Sequence, residues 1–137
     1  MERRAWQNLA RRRLQEARFL LGADIADSAY HLSGCAVECA LKACIARSFL
    51  RHTWPDRRFV QDVHSHNLDR LVALANLRPQ MESEFGKDWR FRERWDIGRV
   101  WNNESRYRQW QRSDAVSMYE AVADTRHGVL RWIRRYW

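Results

Sequence analysis

Trp101, Arg106 and Tyr107 stand close together in the second half of the chain, flanked by Arg99 and Arg108. Those residue types suit one chemistry. A guanidinium grips phosphate through two parallel hydrogen bonds, and an indole or phenol ring stacks a base for about 1–3 kcal/mol. They also admit a plainer role, in which Trp101 and Tyr107 plug a helical core and Arg106 pairs with a carboxylate such as Glu38. Glu38 and Lys42 form a second candidate set. They sit at i and i+4, in the favourable order for an ion pair, inside an otherwise apolar segment. Two charges there must pair with each other or serve a ligand. If Arg106 took Glu38, Lys42 would be free to meet one.

The charge balance points the same way. The chain of 137 residues has a net charge of +8, and with Lys42 and Lys87 the only lysines, arginine supplies 23 of its 25 basic side chains. A GC-rich genome accounts for arginine over lysine, but not for the excess of positive charge. Such a surface draws polyanions by long-range steering and counterion release. Residues 87–112 hold eight cations against four anions, a net +4 that is half of the whole excess. Arg4, Arg11 and Arg18 recur every seven residues and form a stripe, either a solvated flank or a track for phosphates.

Other chemistries find little footing. Cys35, Cys39 and Cys44 lie in one apolar segment at spacings of four and five, with no CxxC pair. Zinc needs ligands converging from separate turns, so no metal is expected, and the thiols read as small core residues in a reducing compartment. Nothing calls for a cofactor. No run approaches the roughly 18 apolar residues of a membrane span, and the first residues lack a secretory apolar region. The expectation is a cytoplasmic protein with no membrane contact.

The elements that would position these residues are helices. Two prolines and five glycines are too few for a sheet protein's turns. The length suits one domain over residues 1–137. Trp6, Ala10, Leu14, Ala17 and Leu21 share one helical face, so a first helix is expected over residues 2–21, stopped by Gly22. Residues 27–50 are apolar nearly all round and should form the central helix of a bundle. A loop is expected over residues 52–66, with Pro55 and the pair Arg57 and Arg58. Leu68, Leu71, Val72 and Ala75 make a short third helix, with Pro79 ending it or opening the next. Some helix is expected over residues 81–95, then an irregular stretch near Asn102 and Asn103. The last helix should start after Ser113 as N-cap, with Asp114 in its first turn. Its seam would be Ala115, Met118, Val122, Thr125, Val129, Trp132 and Tyr136.

The order of residues in the central helix is more specific than its hydropathy. Ala29-Tyr30-His31-Leu32-Ser33-Gly34-Cys35-Ala36-Val37-Glu38-Cys39-Ala40-Leu41-Lys42-Ala43 resembles the second-helix pattern A-Y-x-L-[SA]-G-x-A-V-E-x-A-L-K-A of the HEPN family. His66-Asn67-Leu68, Trp101 with Arg106 and Tyr107, and Gly128-Val129-Leu130 with Trp132 and Ile133 support the likeness. The resemblance spans nearly the whole chain. It implies an up-and-down bundle of four to five helices that forms a homodimer. Many such proteins are ribonucleases; others bind nucleotide or RNA, or act as scaffolds. Stand-alone members often pair with a nucleotidyltransferase in toxin–antitoxin or defence systems.

The family's ribonuclease motif is an arginine, then four to six intervening residues, then a histidine, near the start of the last long helix. Here no histidine lies between Arg106 and Arg126, and His127 follows Arg126 directly. Arg58 with His64, and Arg47 with His52, match the spacing elsewhere. A histidine to move protons and an arginine to hold phosphate are what metal-free RNA cleavage needs. Chance also supplies such pairs in a chain this rich in arginine. The leading expectation is therefore a non-catalytic module that binds nucleotide or RNA. The alternatives are an endoribonuclease using Arg58 and His64 across a dimer cleft, and a scaffold whose Trp-rich segment, with Trp95 and Trp110, is the dimer interface.

Overall fold

The computed structural model describes residues 2–48 and 57–137, which form an all-α bundle. Helix α1 (Arg3–Gly22) turns back through Ala23–Ile25 into α2 (Ala26–Ser48), and these two make the most extensive helix contact in the molecule. Ala10 and Ala17 of α1 are buried, with Trp6, Leu14 and Leu21 partly so, as the periodicity requires. Arg4, Arg11 and Arg18 are exposed. Gly22 is not the stop. It is the last helical residue, and the reversal uses Asp24 in the left-handed region at φ 62°. Asp tolerates that conformation better than most side chains.

Helix α2 runs through the centre, buried at nearly every position from Ala29 to Ile45. Its small residues let neighbours approach closely. Trp101 takes the closest approach, since a Cβ placed on Gly34 would lie 2.2 Å from the Trp101 ring. The expected end of this helix at Leu50, together with His52 and Pro55, lies outside the described residues.

The stretch expected as a loop contains a helix, α3 (Arg57–Val63), whose Phe59 and Val63 pack against the core. Two apolar contacts are too few to register as periodicity. After it come α4 (Leu68–Leu74), α5 (Arg78–Lys87) and α6 (Trp89–Gly98). Asn67 caps α4 by accepting from the Arg70 N–H, and Pro79 occupies the first turn of α5, where its missing N–H costs nothing. Asp88 separates α5 from α6, because its carboxylate accepts from the N–H groups of Arg90 and Phe91, each at 3.1 Å.

A short 3-10 helix, η1 (Asn103–Tyr107), fills the segment expected to be irregular. Helix α7 (Arg112–Ala123) begins two residues earlier than Ser113 would have it. Gln111 is the N-cap, and the Asp114 carboxylate reaches back to its N–H at 3.1 Å. The expected long last helix is two helices. Asp124 accepts from the N–H groups of Arg126 and His127, an alternative to continuing the helical ladder. Gly128 then crosses so close to Asp124 that a Cβ there would meet its carbonyl at 2.3 Å. Helix α8 (Val129–Ile133) resumes beyond, and Thr125 is exposed in the break rather than on the seam. His127 Nδ1 meets Asp88 Oδ2 at 2.7 Å and Arg94 meets Asp124 at 3.2 Å, so the two interrupted junctions clasp each other. No helix among the described residues is long and apolar enough to cross a membrane.

Candidate functional site

Four polar side chains on α2, His31, Cys35, Glu38 and Lys42, follow one another at steps of 4, 3 and 4 and so share one face of an otherwise apolar helix. Each is met from elsewhere in the chain or from its neighbour. His31 Nδ1 lies 2.8 Å from Ser105 Oγ, and its Nε2 lies 3.3 Å from Cys35 Sγ. Glu38, only 9% exposed, accepts on Oε1 from Lys42 Nζ at 3.2 Å and meets His66 Nδ1 at 2.5 Å. The Lys42 ammonium also sits 5.3 Å above the Trp6 ring. A buried carboxylate thus has two cationic or potentially cationic partners, which compensates its desolvation.

The segment from Trp101 to Trp110 is strapped across the start of this face. Trp101 is buried, and its Nε1 donates to the His31 carbonyl at 3.1 Å. Trp110 stacks on Tyr30 with centroids 3.7 Å apart, its Nε1 donates to the Ser105 carbonyl, and its backbone N–H donates to Asp27 at 2.5 Å. Ser105 is buried beneath, so the strap presents its neighbours Arg106, Tyr107 and Arg108 outward, all exposed. The Arg106 guanidinium lies over the Tyr107 ring at 4.7 Å.

These contacts sort the expected residues. Trp101 takes the core role, not the stacking role, because its ring fills the space left by Gly34. Tyr107 and Arg106 remain on the surface together. Arg106 is not bound to Glu38, whose described partners are Lys42 and His66, so Lys42 is held rather than freed. Arg99 forks onto Asp69 at 2.8 and 3.1 Å. The Trp-rich segment mostly faces inward: Trp95 is buried and Trp110 is stacked on the core, while Trp89 is 67% exposed. That removes Trp95 and Trp110 as the anchors of an exposed interface. Arg58 and His64 are both exposed, near opposite ends of α3, and no hydrogen bond or ion pair joins them among the described residues. Six residues of helix separate two groups by about 9 Å along the axis and turn them to different faces. His52, the partner in the other spacing match, lies outside the described residues.

His31, Ser105 and His66 were not among the expected site residues. The steps of 4, 3 and 4 on α2 could have revealed His31. Nothing local marks Ser105 or the meeting of His66 with Glu38.

Burial pushes the Cys35 thiol up to about 12, with Glu38 beside it acting in the same sense, and Cys44 likewise to about 12. Such thiols are inert, in keeping with core residues. Burial also lowers the pKa of His31, and the nearby Arg106 charge adds to the effect. A histidine whose folded value lies below its unfolded value of about 6.5 contributes stability that is present above that pH. The contribution is lost as pH falls through the lower folded value. Denaturant midpoints should therefore drop as pH falls below about 6.5, and His31→Gln should flatten that drop. Equal slopes in the two proteins would show that His31 is not the group responsible.

No protein-family model matches the chain, and neither a curated protein nor a solved structure matches it.

Proposed function

We propose that the chain is a non-catalytic HEPN-type module whose basic surface contacts a nucleotide or RNA. One observation carries this reading: Arg106 and Tyr107 stand stacked on each other and exposed, on a turn that buried contacts hold rigid. Tyr107 is 76% exposed, so the ring face away from Arg106 is open to a base, and Arg106 and Arg108 flank it to meet phosphates. The net charge of +8 supplies the long-range attraction. The resemblance of α2 extends the proposal to a homodimer, and to a nucleotidyltransferase partner in a toxin–antitoxin or defence setting. The ribonuclease alternative gains nothing from Arg58 and His64, which lack a shared face.

The test is binding of a labelled single-stranded RNA, followed by fluorescence anisotropy between about 50 and 200 mM salt. Affinity should fall steeply as salt rises. Arg106→Ala should weaken binding about tenfold, or about 1.4 kcal/mol, and should reduce the salt slope by about 0.7, the share of one single-strand phosphate contact. Absence of binding at the lowest salt would overturn the reading.

A further inference from the structure

We propose that the cleft beside His66 is a sugar subsite that reads the 2′-hydroxyl, so that the surface carrying Arg106 and Tyr107 takes a ribonucleotide strand in preference to a deoxyribonucleotide one; this rests on the binding reading above. The cleft has a volume of about 500 Å³ and lies between the start of α4 and the turn that follows α6. That volume is in the range of small-ligand sites. His66, Asn67, Arg99, Asn102, Asn103 and Glu104 line it.

The arginine of this cleft and the carboxylate beneath it are already committed. Arg99 is forked onto Asp69, and Glu38 beneath His66 is shared with Lys42. A phosphate therefore finds no unpaired arginine or lysine among the described residues that line the cleft, and Glu104 repels it. What the cleft offers is a set of oriented neutral hydrogen-bonding groups. The Nδ1 edge of His66 is taken by Glu38, which leaves its Nε2 edge, on a half-exposed side chain, for a ligand. Asn67 and Asn102 have their Oδ1 atoms tied to the N–H groups of Arg70 and Glu104. Their Nδ2 amides are thereby aimed as donors, with no partner among the described residues. A sugar hydroxyl donates one hydrogen bond and accepts others, so it can meet the His66 Nε2 edge and the amide donors together.

The subsite is placed to work with the stacking pair. Glu104 and Arg106 belong to the same five-residue 3-10 helix. At three residues per turn Asn103 eclipses Arg106 and Glu104 eclipses Tyr107, about 6 Å apart along the axis, so two residues of the cleft lining share faces with the stacking pair. A strand with a base on Tyr107 and a phosphate on Arg106 thus has its adjoining sugar beside Asn103 and Glu104. A 2′-hydroxyl adds hydrogen bonds to the His66 edge and the amide donors that a deoxyribose cannot make, and a site built around a hydroxyl discriminates against its absence. The 2′-hydroxyl is the group by which proteins tell RNA from DNA.

The experiment compares two labelled single strands of one sequence, ribose against deoxyribose, with deoxyuridine in place of thymidine. The unaltered protein should prefer the ribo strand about tenfold. His66→Ala should bring that ratio close to one, the ribo strand losing more affinity than the deoxy strand. Because His66→Ala also takes a partner from Glu38, Asn103→Ala serves as a second variant that leaves this pair untouched, and it should lower the ratio too. Arg106→Ala should weaken both strands alike and preserve the ratio. Equal binding of the two strands by the unaltered protein would overturn the sugar subsite and leave the binding reading standing. A ratio that survives both His66→Ala and Asn103→Ala would overturn it as well. Failure to bind either strand would overturn the binding reading itself.

Discussion

Glu38→Leu should destabilise the fold by about 3–5 kcal/mol, the range seen when one member of a buried ion pair is removed. The cost does not come from the lost attraction alone. Lys42 is 8% exposed and would lose its ion-pair partner while still lying over the Trp6 ring. His66 would lose its anchor in the same step. The physical account is tested by the double variant Glu38→Leu with Lys42→Met, measured by urea denaturation. Replacing both charges with apolar side chains of similar size removes the desolvation penalty along with the pair, so most of the loss should return. A double variant as unstable as the single one would mean that the loss at Glu38 reflects poor packing or the freed His66, and not a stranded ammonium.

Gly34→Ala should lower stability by about 2 kcal/mol, although alanine is the better helix former by about 1 kcal/mol. The sign is decided by Trp101. Three of its ring atoms lie 2.2–2.4 Å from where the new methyl would stand, well inside contact distance. The indole cannot move away freely, since it is buried and its Nε1 is tied to the His31 carbonyl. Overpacking of this kind costs about 1–3 kcal/mol and occasionally more. For a chain of this size the thermal midpoint should fall by about 8 °C. Combining Gly34→Ala with Trp101→Phe should be less costly than the two changes added, because they compete for one space. A neutral or stabilising Gly34→Ala would show that the strap from Trp101 to Trp110 yields easily, and with it the rigid presentation of Arg106 and Tyr107.

The two perturbations act on one face of α2. His31 and Gly34 hold the strap, while Glu38 and Lys42 hold His66. Stability and ligand presentation are thereby coupled through a single helix, so binding assays on any of these variants need a folding measurement beside them.

Much of the fold could be read from the chain because it rests on local periodicity. The apolar stripe of α1 and the near-continuous burial of α2 follow from a repeat of 3.6 residues, which the residues themselves display. The Glu38–Lys42 pair was legible for the same reason, since i and i+4 are neighbours on any helix. The breaks were not. Ala115 to Tyr136 keeps a helical repeat straight across the interruption at Asp124, where capping by one carboxylate and a close crossing at Gly128 outweigh the pattern. Helix α3 went unseen because it is short and owes its packing to the core it touches.

The candidate site divides along the same line. Residue types and charge marked Trp101, Arg106 and Tyr107 as candidates for phosphate and base, and left open whether they faced a ligand or the core. Tertiary packing decided it, by setting Trp101 against Gly34, which lies 67 residues earlier. The same holds for His31 with Ser105 and for Glu38 with His66, contacts across 74 and 28 residues. Sequence alone determined an all-helical, strongly basic chain with a charged pair inside its central helix, because those properties depend on composition and on neighbours within two turns. Which polar groups meet, and which face solvent, depends on how helices far apart in the chain cross, and no local spacing encodes that.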